Sequence, residues 1–579
     1  MNVLQSVNLA QLIDVAAGRQ PADLVLRGGR IVNVFTEEVY AADVAIAGDT
    51  IAGLGRYEGR EVVDLDGAVI CPAFIDGHVH IESSLLSVSE FAALVSARGT
   101  AAVVADPHEI ANVMGIEGIR YMLASSKYSP VRIYVMLSSC VPASPLEGAG
   151  AELLAEDLDP LLADRWVLGL AEMMNYPGVA AGDGPVVDKL RLGRGRLIDG
   201  HCPGLSGRDL QAYVAAGIYS DHECTSAGEA QEKLRSGMHV MIREGSQARN
   251  LDALLPLVKA ENADRFMFVT DDKDVEDLLA EGHMDHILRR AITAGLPPAR
   301  AVRLMTLSPA RYFGLRDLGA VAPGYSASLA VLEDLQSCRL QRVYQAGKLA
   351  AAGGRSLGAD SRGTKTPVLR STMNVHWLEP AQFAVRVQGR GQQAVHVMHI
   401  VEGQLVTGRS IESLPVVDGE VRADPRRDIA KIVVIERHHA SGRMGFGFIK
   451  GLGLADGAIA SSVAHDAHNI VAAGTNDRDL YEAAVHVVKM RGGLCAARDG
   501  QILADMPLPI AGLMSDAPAA QAGEQLRRLH RAAADLGCTL QKPFMGLSFM
   551  SLSVIGALKV TDQGLIDVER FRPIELFAS

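Results

Sequence analysis

Two histidines one residue apart, His78 and His80, stand in the run PAFIDGHVHIESS, and two more, His201 and His222, close the short runs RLIDGHC and GIYSDHE. Carboxylates occupy equivalent places, Glu172 in WVLGLAEMM and Asp271 in FMFVTDD. Neutral imidazoles and carboxylates with no thiolate suit Zn2+, Mn2+ or Fe2+ better than Ca2+ or copper. Six such groups are enough for two divalent ions, expected here as Mn2+ or Fe2+ with Zn2+ an alternative. A pair of ions about 3.5–4 Å apart needs an anionic side chain between them, and Glu172 is the carboxylate placed to bridge. H-x-H alone is a weak signal in a chain with 17 His. Its setting gives it weight, because residues two apart on a strand share a face and both rings can turn to one point.

The elements that must position these groups are legible as eight apolar runs alternating with amphipathic stretches over residues 73–317. That rhythm and span predict an α/β fold, a (β/α)8 TIM-type barrel, whose chemistry sits at the carboxyl ends of its strands. Nearly every run closes on a polar group: His78 and His80, Asp106 and His108, Ser138 and Ser139, Glu172, His201, His222, Arg243 with Glu244, Asp271 with Asp272. Short β-rich runs with Gly and Asp turns at 23–70 return at 318–352 and predict a small flanking β-sandwich built from both ends. The expected division is 1–72 and 318–360 for the sandwich, 73–317 for the barrel and 361–579 for a C-terminal α+β domain. The last is joined through the polar stretch GGRSLGADSRGTKTP. The Gly-rich GFGFIKGLGLADG meets neither nucleotide-loop spacing.

Composition removes other classes. The 68 acidic residues exceed the 56 basic ones by 12, and the basic residues are scattered, so a nucleic-acid partner is not expected. With 48% hydrophobic and 21% charged residues the chain is a folded globular protein. Its 7 Cys form no CxxC pair, which predicts reduced thiols in a cytoplasm and excludes the H-x-E…P-C-x-x-C type of deaminase. No run of about 18 apolar residues is present, so no membrane span is expected. The first twenty residues read as an amphipathic helix rather than a signal peptide. A chain of this size is expected to form a homodimer or higher homo-oligomer.

The runs PAFIDGHVHIESS, ADPHEIANVMG, LAEMMNYPGV, IDGHCPGLSG, GIYSDHECT, IREGS and VTDDK, with SSVAHDAHNIVAAGTND in the third region, resemble the bacterial adenine deaminases of the amidohydrolase superfamily. The resemblance covers nearly the whole chain. It implies a binuclear barrel and hydrolysis of a purine base, adenine, to hypoxanthine and ammonia in purine salvage. Many binuclear relatives bridge the ions with a carboxylated Lys where this chain has Glu172, as adenine deaminases are expected to have. The proton-donating Glu that some relatives place after the strand-5 histidine is missing from HCPGLSGRDL.

On this reading a hydroxide attacks C6 and Asp271 takes its proton and passes it to the departing amine. The proton for N1 comes from Glu223, Glu172 or Glu109. Glu82, Ser83, His108, Arg243 and Asp272 either read the purine or support a metal ligand. Cys202 and Cys224 adjoin the site as packing residues, and His465 and His468 either reach the barrel mouth or serve a turn or interface. Another 6-substituted purine such as N6-methyladenine, a cyclic-amide hydrolase, and a metal-free scaffold are the alternatives.

Overall fold

The computed structural model describes residues 8–357, 371–404 and 406–578. Eight parallel strands form the barrel, and we number them β1 Phe74–Val79, β2 Thr100–Ala105, β3 Arg132–Leu137, β4 Val167–Met173, β5 Leu197–Gly200, β6 Ser220–Asp221, β7 His239–Arg243 and β8 Phe266–Val269. Each coincides with one of the eight apolar runs, and the α/β barrel class is as expected.

Period two explains what faces inward. Ala102 and Val104, Tyr134 and Met136, Met241, and Met267 with Val269 fill one buried core inside the ring. Continuing those faces two residues further brings Asp106, Ser138, Arg243 and Asp271 to the mouth. The apolar plug and the polar site above it are therefore two parts of one strand register.

The ring has two seams. Backbone ladders join β1 to β5 and β6 to β8 as separate sheets. Between β8 and β1 a parallel bridge pairs Val79 with Asp271, and Asp76 accepts from Thr270 N at 3.1 Å and Thr270 Oγ1 at 2.5 Å. Between β5 and β6 side chains do the joining. Ser220 Oγ donates to Asp199 at 2.9 Å and accepts from Gly200 N at 3.1 Å. A Cβ on Gly200 would lie 2.2 Å from the Ser220 carbonyl oxygen, so only glycine permits this approach. Asp221 accepts from Cys202 N at 2.8 Å, and the buried Lys233 ammonium donates to Asp221 at 3.0 Å and to the Cys202 carbonyl at 2.7 Å.

Strands on both sides of the barrel segment build the sandwich. Val69–Pro72 pairs with Leu329–Leu332, and Leu26, Ile46, Ile70, Leu329 and Tyr344 pack between its four- and seven-stranded sheets. The early part of the polar junction forms the strand Arg355–Ser356; residues 358–370, with the 360/361 boundary, lie outside the described residues, as do residues 1–7 of the N-terminal stretch, whose helix runs Leu9–Ala16 with Asn8 as its cap.

The C-terminal region is a nine-stranded, mostly antiparallel sheet. The helix Asp477–Lys489 covers one face through Leu480, Ala483, Ala484 and Val487. The other face, with Ile432, Val434, Val471 and the helix residues Leu526 and Leu529, shares a continuous core with Val79, Ile81, Leu85 and Ile110 at the barrel mouth. The region is thus packed over the carboxyl ends of the strands. No helix among the described residues is long and apolar enough to cross a membrane.

Lys233 and Asp221 are both fully buried, and removing one member of such a pair leaves an uncompensated charge. Lys233→Met is expected to cost about 3–5 kcal/mol, read from denaturant unfolding; an unshifted midpoint would show that the β5–β6 seam does not depend on it.

Candidate metal centre at the barrel mouth

Glu172 stands at the centre of the mouth, 2% exposed. Its Oε1 lies 3.2 Å from His80 Nε2 and 3.6 Å from His78 Nε2, while its Oε2 lies 2.8 Å from His201 Nδ1 and 3.2 Å from His222 Nε2. The two oxygens therefore face two different histidine pairs. Asp271 Oδ1 closes the first side, 3.3 Å from His78 Nε2 and 3.1 Å from His80 Nε2. The six groups expected as ligands converge, and the sets His78–His222–Asp271 and Glu172–His201–His222 each bring ligand atoms within 4.8 Å of one another.

The local structure explains the convergence. His80 Nδ1 bonds the Asp106 carbonyl at 3.0 Å, which turns Nε2 toward Glu172. The Tyr213 hydroxyl donates to the Met173 carbonyl at 2.8 Å and accepts from His201 N at 2.9 Å, tying the ends of β4 and β5. Ser139 Oγ donates to the Glu172 carbonyl at 2.7 Å.

Burial opposes charge on His80, Glu172, His222 and Asp271, yet the partners outweigh it. For His222, burial would lower the pKa, but the Glu172 carboxylate pushes it up to about 9. Burial likewise resists ionisation of Glu172 and Asp271. His222, His108 and His201 nevertheless hold Glu172 well below the usual carboxylate range, and Arg243 with His78 and His80 does the same for Asp271. The fit to cations is independently visible in atoms left over. Buried Glu172 Oε1, His78 Nε2 and His201 Nε2 have no hydrogen-bond partner, and buried polar atoms without partners mark a missing ion, water or ligand. An all-imidazole and carboxylate donor set suits a divalent first-row ion.

The remaining predicted residues fall in several places. Arg243 is committed to the protein: Nη1 donates to Glu223 Oε1 at 2.5 Å and Asp271 Oδ2 at 2.6 Å, and Nη2 to Glu223 Oε2 at 3.0 Å. Of its two expected roles, purine reader or support, the geometry favours support. The same contacts hold both oxygens of Glu223, one of the residues expected as proton donor, whose Oε1 also lies 3.4 Å from His222 Nε2. His108 lies deeper than a substrate-reading loop, Nδ1 2.8 Å from Asp106 Oδ2 and 3.4 Å from Glu172 Oε1. Ser83 Oγ donates to Asp272 Oδ1 at 2.5 Å. Glu82 Oε1 accepts from Ile110 N at 3.2 Å, its Oε2 is unpartnered, and burial pushes its carboxyl up to about 7.

Glu109 turns to the C-terminal domain, 2.8 Å from His465 Nδ1 and bonded to His468 Nε2. Both histidines thus reach the mouth. Cys202 and Cys224 are buried near Asp221 and Lys233, where burial above all raises their thiol pKa. Three supporting residues escaped the sequence reading. Asp106 was visible as a strand end but given no role, although its register is inward. Tyr213 and Asp466 carried no signal beyond their surroundings.

Comparison with known proteins bears on this geometry. The amidohydrolase family matches residues 69–350, and the adenine deaminase C-terminal domain matches residues 404–572. A protein named adenine deaminase from Dehalococcoides mccartyi strain CBDB1 is 46% identical, covering 98% of this chain and 99% of its own. The adenine deaminase of Oleidesulfovibrio alaskensis is 47% identical over 98% of this chain and 99% of its own. Adenine deaminase 2 of Carboxydothermus hydrogenoformans is 46% identical over 97% and 98%.

The chain belongs to the adenine deaminase family. Members of this family are amidohydrolases, so the chain is a hydrolase whose fold class generally holds divalent metal. The match at 404–572 gives the C-terminal sheet a family identity of its own, and it includes the 463–469 segment that meets Glu109.

That segment is anchored by His438, whose Nε2 donates to the Ala467 carbonyl at 2.7 Å. Burial, then Arg437, lowers its pKa from 6.5 to about 3. The unfolded chain therefore takes up this proton below about 6.5 and the native chain does not. Acidification from 6.5 towards 3 should cost about 1.4 kcal/mol per pH unit through this residue alone. His438→Asn is expected to remove that one-proton increment from the pH dependence of unfolding; an unchanged slope would contradict it.

Proposed function

We propose that this enzyme deaminates adenine to hypoxanthine and ammonia at a binuclear centre bridged by Glu172. The observation that carries the reading is the division of Glu172, one oxygen toward His78 and His80 and the other toward His201 and His222. His78, His80 and Asp271 would hold one ion, His201 and His222 the other, with Glu172 between. Two such cations, Mn2+ or Fe2+ by the hardness of this donor set and Zn2+ otherwise, would make a nucleophile available at neutral pH by lowering the pKa of water.

Asp271 is oriented for proton handling. Arg243 holds its Oδ2 at 2.6 Å, which fixes Oδ1 toward His78 and His80 where water would be activated. Oδ1 takes the proton released on attack at C6 and returns it to the amine, so that ammonia leaves. Breaking the aromatic ring also requires a proton at N1. Glu223 is paired through both oxygens with Arg243, and Glu109 is tied to His465 and His468. Glu82 takes their place: it lies beside His80, its Oε2 is unbonded, and burial keeps its carboxyl titrating near neutrality at about 7. Two further carboxylates around the mouth, Glu109 and Asp272, present acceptors to the N–H groups of a purine base. Ser83 holds Asp272 in place and His108 holds Glu109.

Seven buried free cysteines support a reducing, cytoplasmic setting, and a homo-oligomer working in purine salvage completes the reading.

Metal-free protein reconstituted with Mn2+, Fe2+ or Zn2+ should release ammonia from adenine only as the content approaches two ions per chain. Glu172→Gln should bind fewer than two, and Asp271→Asn should lose at least about a hundredfold in kcat. Full turnover with one ion, or in Glu172→Gln, would sink the binuclear assignment. Two bound ions with adenine untouched would redirect the reading to other 6-substituted purines.

A further inference from the structure

Most buried polar atoms at the barrel mouth that lack a protein partner are accounted for by the metal centre or by Glu82. Asp466 Oδ2 is not. Asp466 is 2% exposed and comes from the C-terminal domain, yet its Oδ1 lies 3.8 Å from His108 Nε2, and His108 Nδ1 lies 3.4 Å from Glu172 Oε1. Asp466 is thus two contacts from the bridging carboxylate through its other oxygen.

The segment that carries it is held on both sides. His468 Nδ1 accepts from Ala464 N at 3.2 Å, so its Nε2 bears the proton and donates to Glu109. That tautomer leaves no lone pair for a third ion at Glu109, His465 and His468, and the cluster is a hydrogen-bonded anchor. His465 stacks on Phe549 with ring centroids 4.3 Å apart and planes 7° from parallel. Arg437 bonds the His468 carbonyl, and Asn469 Nδ2 donates to the Gly148 carbonyl at 2.8 Å. A loop ordered this tightly around one unbonded carboxylate oxygen stores a desolvation cost that a ligand would relieve.

We infer that Asp466 is a specificity residue through which the C-terminal domain touches the substrate, its free oxygen accepting an N–H from a planar nitrogen heterocycle bound at the metal centre. The inference rests on the deaminase reading and adds to it a role for the C-terminal domain as part of the active site. A base with only ring acceptors on that edge would meet an unpaired carboxylate and be rejected.

The test uses metal-loaded full-length protein and compares wild type with Asp466→Asn and Asp466→Ala. Adenine KM, adenine affinity by calorimetry, metal content and Tm are measured on each. Both variants are expected to keep two ions per chain and an unchanged or raised Tm, since a buried unbonded charge is removed, while KM and Kd rise at least tenfold. Equal KM and Kd in all three proteins, or a fallen Tm with unchanged Kd, would assign Asp466 a structural role and overturn the inference. Wild type that neither binds nor deaminates adenine would instead overturn the deaminase reading beneath it, and the inference with it.

Discussion

A carboxylate sunk beneath the surface with five imidazoles at 3.6 Å or less is the arrangement on which the rest of this structure depends. Burying a charge is expensive unless it is paired. Around Glu172 stand the further carboxylates Asp106, Glu109, Glu223, Asp271 and Asp466, and the guanidinium of Arg243 meets only Glu223 and Asp271. Protons on His80, His108 and His222, each with its pKa raised, offset part of that negative charge. Divalent cations offset it better, since each brings two charges and takes the lone pairs of neutral imidazoles. The same field that strains the site without cations would draw them in.

Holding like charges this close needs a stiff frame. The ring supplies it by period-two registers that run without interruption from the apolar plug to the mouth. Its weak point is the β5–β6 seam, where no backbone ladder forms and where His201 and His222 both emerge. Gly200, Ser220, Asp221 and Lys233 close that gap with side-chain hydrogen bonds and one buried ion pair. The C-terminal sheet then covers the mouth, sharing its core with Ile81, Leu85 and Ile110, and lowers the local dielectric in which every one of these charges acts.

Much of this was legible in the sequence, and the reason is local. Strand-end residues such as His78, His80, Glu172, His201, His222 and Asp271 follow from apolar runs and their polar closures, because register alone decides where they point. Glu82 and Asp106 were visible for the same reason, though their roles needed neighbours to define them. The pairing of Glu223 with Arg243 was not legible, because Arg243 lies on the adjacent strand and only the closed ring brings the two together. Asp466 and the anchoring histidines 465 and 468 depend on how one domain packs on another, which no periodicity encodes. The HDAHN run announced chemistry-bearing residues without saying where they would go.

The division of Glu172 between two ions is the central claim, and anomalous X-ray scattering from crystals of the Mn2+-loaded enzyme tests it most directly. Two peaks about 3.5–4 Å apart, one beside Glu172 Oε1 with His78 and His80 and one beside Oε2 with His201 and His222, are what this geometry predicts. A single peak, or a second ion bound away from Glu172, would contradict it.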